Sequence, residues 1–153
     1  MNRGLSYGAR SVNWNYKNGG LFGVLTYTKN ATLRECIDVA LEQVRRMRAE
    51  KLTDAELSSA KRYITGLFPF DLETNADLAN WLLELTFYGI PLAYVEEYGA
   101  KIDAVTAEDC LRAAGSRYWL DDNLLFLMTK YDETKEQLQG LGVVEVVNID
   151  EVE

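Results

Sequence analysis

Few side chains in this 153-residue chain are placed to do covalent chemistry, and one type that most hydrolytic sites need is absent. There is no histidine. A serine or cysteine nucleophile normally takes its proton relay from a histidine base. Lysine can substitute, and Ser58-Ser59-Ala60-Lys61 contains the Ser-x-x-Lys spacing. That stretch lies within an amphipathic helical pattern, where such a match arises by chance. Zinc hydrolysis wants histidine, cysteine and carboxylate ligands close together. The two cysteines, Cys36 and Cys110, stand far apart and fit neither a metal pair nor a disulfide framework. Each falls among apolar helix positions and reads as a small buried hydrophobe, with a remote disulfide left open. Glu96-Glu97 and Asp121-Asp122 are adjacent carboxylates with no acid–base partner in the pattern, and they read as solvated surface. Gly19-Gly20 and Gly140-Leu141-Gly142 are turn glycines without the spacing of a phosphate loop.

Composition narrows the partners. The formal charge is −8 and the isoelectric point about 4.6, which disfavours a nucleic-acid backbone. The Arg45-Arg46-Met47-Arg48 cluster is the one dense basic patch, and it reads as the solvated face of a helix. A 48% hydrophobic content is ample for a core and argues against disorder. The longest apolar stretch, residues 78–95, is interrupted by Glu84, Gly89 and Pro91, so it reads as a buried helix followed by a break and not as a membrane span. Residues 1–20 lack the apolar segment of a signal peptide.

The elements that would carry these residues begin with a hairpin. Residues 4–16 alternate loosely and predict a strand with a bulge near Arg10-Ser11. Lys17-Asn18-Gly19-Gly20 predicts the turn, and residues 21–28 the returning strand. Thr32-Leu-Arg-Glu35 reads as a capping box opening a helix over about 32–50, with Leu33, Ile37, Ala40, Val44 and Met47 on one face. Thr53-Asp-Ala-Glu56 caps a second helix, which Pro69 interrupts. Thr74-Asn75 restarts a helix that Gly89 ends, and Pro91 can open the next. Thr106-Ala-Glu-Asp109 caps a further one. Residues 124–128, LLFLM, predict a buried strand. A short helix near 132–139, a strand over 143–148 and an acidic tail complete the pattern. Strands and helices are segregated, so the fold class is α+β: an antiparallel-rich sheet with helices packed on one face.

Four stretches together resemble the C-terminal half of an M16 metallopeptidase domain pair, the family of pitrilysin, insulysin and mitochondrial processing peptidase. RGLSY resembles the family's R-G-L-A-Y strand. The run from Gly20 to Phe68 resembles its strand, long helix, capping box and following helix. Residues 68–128 resemble its second half, and LGVVEVVNID its closing strand. The L-T-D-A-E-L-x-x-A-K and I-D-A-V-T-A-E-D segments are specific in combination, and the likeness covers nearly the whole chain.

The resemblance implies a division of labour. In such families an inverted H-x-x-E-H zinc motif lies in an N-terminal active domain of the same fold. The second domain lacks the motif and closes over the substrate. A histidine-free chain matches that second domain, with residues 1–148 as a partial, non-catalytic domain truncated at its N-terminus and 149–153 as an acidic tail. No cofactor is then expected on this chain, with zinc held by the active domain of the parent. The expected partners are that active domain, in the same chain or another subunit, and a peptide substrate. Nucleic acid and membrane are not expected. Tyr7 matches the family tyrosine that reaches across the chamber to position peptide and stabilise its carbonyl oxygen. The arginine that accompanies it would precede residue 1, and Arg3 does not match it. Apart from the resemblance, Tyr7 reads as an inward strand aromatic. A second functional reading makes the parent an inactive homologue that serves as a structural or substrate-binding subunit. An exposed sheet edge also invites self-association.

Overall fold

The structure is a computed structural model that describes residues 4–148. It divides into two compact units, one built from residues up to 45 together with those from 119 onward, the other from residues 46–118. The acidic tail at 149–153 and Arg3 lie outside the described residues.

The first unit carries an antiparallel hairpin, β1 (Ala9–Tyr16) and β2 (Gly19–Thr26). Its register runs without interruption from Ala9 opposite Thr26 to Tyr16 opposite Gly19, so the bulge expected near Arg10-Ser11 does not form. Gly20 permits the close approach at the turn: a β-carbon there would sit 3.0 Å from the Trp14 carbonyl oxygen. Residues directly opposite share a face. One face therefore gathers Arg10, Val12, Trp14, Tyr16, Leu21 and Leu25, and Trp14, Tyr16, Leu21 and Leu25 are all exposed.

After a 3-10 turn at Asn30–Thr32 comes helix α1 (Leu33–Ala49). The Thr32 hydroxyl meets the Thr28 hydroxyl at 2.8 Å and the Lys29 carbonyl at 3.2 Å, so this residue closes the lead-in turn ahead of the helix. Cys36 and Ile37 are buried on α1, as the periodicity requires. Both cysteines are free thiols. Later in the unit come a one-turn helix α2 (Tyr131–Thr134) and a 3-10 turn at Lys135–Leu138, with Thr134 and Leu138 buried. Hydrogen bonds fasten this segment to the start of α1. Arg34 Nη1 donates to the carbonyls of Gln137 (3.2 Å) and Gln139 (2.8 Å). Gln137 Nε2 donates to the Asn30 carbonyl at 2.8 Å, and Asn30 Nδ2 donates to Glu133 at 2.6 Å. These bonds with Asn30 and with Lys130 hold the Glu133 carboxyl below its ordinary range.

The strands expected at 124–128 and 143–148 are not present among the described residues. A strand exists only through hydrogen bonds to a neighbour, and among the described residues neither segment has one. Both leave apolar side chains in solvent. Leu124, Phe126 and Met128 are 88%, 80% and 81% exposed.

The second unit is helical, with α3 (Asp54–Leu67), α4 (Asn75–Tyr88), α5 (Ala93–Ala104) and α6 (Ala107–Arg117). Three of the four open with capping boxes: Thr53 with Glu56 and Thr106 with Asp109, as read in the sequence, and Thr74 with Asp77. Each box satisfies amide donors that the first turn leaves orphaned. Pro69 starts a 3-10 turn at Phe70–Leu72 after α3, and Gly89 ends α4 in the left-handed conformation at φ 68°. Helix α3 packs on α5. Phe68 stacks on Tyr98 at 4.1 Å between ring centroids, and Trp81 meets Phe68 edge-on at 5.5 Å. Burial, with Tyr94 and Asp71 nearby, pushes the Tyr98 hydroxyl above its ordinary pKa. Leu85 and Ala114 are buried.

Candidate functional site

Tyr7 lies just ahead of β1, in a stretch that bends instead of running as the strand expected from residue 4. Gly4 takes a positive φ of 64°, open to glycine at little cost, and a hydroxyl-closed turn follows. The Ser6 hydroxyl donates to the Gly8 carbonyl at 2.6 Å and accepts from the Gly8 N–H at 3.0 Å. Hydroxyls from the end of the opposite strand complete the clamp. Thr26 reaches the Ser6 hydroxyl at 3.0 Å and the Gly8 carbonyl at 3.1 Å. Thr28 donates to the Leu5 carbonyl at 2.8 Å. The backbone on either side of Tyr7 is thus tied to the β2 side of the hairpin, while the Tyr7 ring itself is 95% exposed. Among the described residues nothing packs over the ring. Tyr27, also exposed, brings its hydroxyl 3.6 Å from where a Gly8 β-carbon would lie, so two tyrosines share this end of the ribbon.

Such an arrangement can present an aromatic ring and a phenolic donor to an extended ligand at little entropic cost. The Thr26, Thr28 and Ser6 clamp has no local signature. It depends on hairpin register, which brings together residues 18 to 23 apart.

The other candidate groups serve structural ends. Lys61 Nζ donates to the Asp103 carbonyl at 2.6 Å, so it links α3 to the end of α5 and is not poised beside Ser58. Glu97 pairs with Lys101 at 3.0 Å. The Thr53 amide, with the Arg46 side chain next in effect, lowers the Glu56 carboxyl to about 2. In the same way the Thr106 hydroxyl, its amide and Arg112 hold Asp109 at about 2. Among the described residues no three of the histidine, cysteine, aspartate or glutamate side chains gather as a metal-binding group.

Residues 1–64 match the family model described as the peptidase M16 inactive domain. The crystal structure of a peptidase M16 inactive domain from Pseudomonas fluorescens is similar to the chain, with a TM-score of 0.66 and 26% identity over 74% of this chain. The chain covers 27% of the length of the Pseudomonas fluorescens chain. No curated protein matches it. This similarity agrees with the α+β architecture and with a non-catalytic part. It includes the whole hairpin and the Tyr7 clamp within the matched residues.

Proposed function

We propose that this M16 inactive-domain chain is a non-catalytic part of a zinc-dependent endopeptidase, where it completes the substrate chamber and holds peptide. The observation that carries the reading is the family match over residues 1–64, together with a chain that has no histidine. Zinc belongs to an N-terminal active M16 domain, in the same polypeptide or in a partner subunit. The side chains here do not suit it, since the cysteines are free, lie in separate units and have no histidine to join them. Within the assembled chamber Tyr7 contacts the bound peptide. Its phenol can donate a hydrogen bond to a carbonyl oxygen on which charge develops during attack.

Complementation tests the reading. An active M16 domain lacking its own second domain is assayed on a quenched fluorescent peptide with and without the purified chain. The chain alone should give no cleavage, and its addition should raise turnover by the active domain. Substitution of Tyr7→Phe should lower kcat of the complemented enzyme while leaving assembly intact. No change in turnover at saturating chain would refute the proposal. Assembly without turnover, on a partner that itself lacks the zinc motif, would favour the subunit of an inactive homologue.

A further inference from the structure

Charge is segregated along this chain. Arg3, Arg10, Lys17, Lys29 and Arg34 all precede Glu35, the first acidic residue, although the whole carries a net charge of −8. The hairpin is therefore a cationic ribbon in an acidic protein. Within its own unit it has no more than slight contact with α1 or α2.

Arg10 stands on the apolar face of this ribbon. It lies opposite Leu25, on the same side of β1 as Val12 and Trp14. Trp14 and Leu21, opposite one another, are 46% and 51% exposed. Arg10 is also exposed and makes no ion pair among the described residues. The adjoining pair, Ala9 and Thr26, leads into the clamp around Tyr7, since the Thr26 hydroxyl reaches the Gly8 carbonyl at 3.1 Å.

The same strand is an open edge. The sheet has two strands, so β1 has a partner on one side only. Among the described residues its outer side makes no backbone hydrogen bond from Ala9 to Trp14. Such an edge accepts an extended peptide: backbone bonds supply affinity, and alternate side chains supply selection. The edge of β2 is poorer. Its span, GGLFGVLT, is uncharged, and its three glycines offer no side chain to a cross-strand neighbour.

Antiparallel addition along β1 sets alternate peptide side chains opposite Trp14, Val12 and Arg10, in that order. The first two meet apolar surface. The third meets a guanidinium, whose fork suits a carboxylate. A second copy of the ribbon does not suit, because it has no carboxylate to offer Arg10 and brings its own cations. More remote acids of this chain are screened beyond about 8 Å at physiological ionic strength, so the local charge decides.

We infer that the outer edge of β1 selects extended acidic peptides of the pattern apolar-x-apolar-x-acid, read from N to C, with Arg10 taking the carboxylate. This rests on the reading that the chain holds peptide, and it names the class of peptide held.

Fluorescence anisotropy on the full chain tests it, with the labelled peptide Ser-Ile-Thr-Val-Thr-Glu-Ser and the same peptide carrying Lys in place of Glu. The Glu peptide should bind roughly three- to tenfold more tightly, the span expected when an exposed cross-strand pair turns from attraction to repulsion. Arg10→Glu should invert the preference. Arg10→Lys should keep it in weaker form, and Trp14→Ala should weaken both peptides alike. Equal binding of the two peptides, binding of neither, or a preference unmoved by Arg10→Glu would overturn the inference. Complementation separates this outcome from failure of the chamber reading. A chain that raises turnover of an active M16 domain but binds the two peptides equally would refute the acidic selection alone. A chain that shows the preference but never raises turnover would support the selection and refute the chamber reading alone.

Discussion

Replacing Thr28 with valine should release the arm that carries Tyr7. Valine fills nearly the same volume, so packing is preserved while the hydroxyl is lost. Two contacts disappear: the 2.8 Å bond to the Leu5 carbonyl and the 2.8 Å contact with the Thr32 hydroxyl. Only the first of these joins the arm, and a net hydrogen bond contributes about 0.5–1.5 kcal/mol, so its loss weakens the hold on the arm by about that much. That corresponds to a shift of roughly 2- to 12-fold in the fraction of time the arm is detached, at about 1.4 kcal/mol per factor of ten. Hydrogen exchange reads the shift directly. The Gly8 N–H is bonded to the Ser6 hydroxyl and should exchange faster by that factor in Thr28→Val. Helix amides in residues 54–67 belong to the other unit and should be unchanged. Peptide affinity should fall with the same substitution, because the freed arm must be reordered on binding. Unaltered exchange at Gly8 would show that the hydroxyl clamp does not hold the arm.

Acid should weaken the helix starts in a defined window. Glu56 is lowered from its ordinary value of 4.5 to about 2 by the Thr53 amide and then by Arg46, so its contribution is complete above pH 4.5 and lost as pH falls through about 2. The urea midpoint should drop across that range, and Glu56→Gln should flatten the dependence, since its pH-independent side chain cannot titrate. Leu85→Ala removes a side chain that is 4% exposed and should destabilise the helical unit by about 2–5 kcal/mol in urea unfolding. The same change at exposed Leu83 should have a much smaller effect.

Helices were the legible part of this fold because their signals are local. A threonine followed three residues later by an acid is such a signal, and at Thr53, Thr74 and Thr106 the hydroxyl and carboxylate make the reciprocal bonds, whereas the Thr32 hydroxyl closes the preceding turn. The hairpin was legible for a similar reason, from a Lys-Asn-Gly-Gly turn between two apolar runs. Strands at 124–128 and 143–148 were not, because propensity supplies only half of a strand and the other half is a neighbour with free hydrogen-bonding groups. Nor could sequence place Arg34 beside Gln137 and Gln139, which are more than a hundred residues away. At the candidate site, Tyr7 was singled out by the resemblance of RGLSY to a family strand. Its exposure and the hydroxyls that hold its backbone depend on the register of β1 against β2, which spacing alone left with a bulge.

A photo-crosslinking amino acid placed at position 7 tests the central claim most directly. The chain carrying p-benzoylphenylalanine in place of Tyr7 is assembled with an active M16 domain and a radiolabelled peptide, then irradiated. The account predicts label transferred to this chain at position 7, dependent on the active domain and competed by unlabelled peptide. Assembly with no label at position 7, or label that persists under competition, would contradict it.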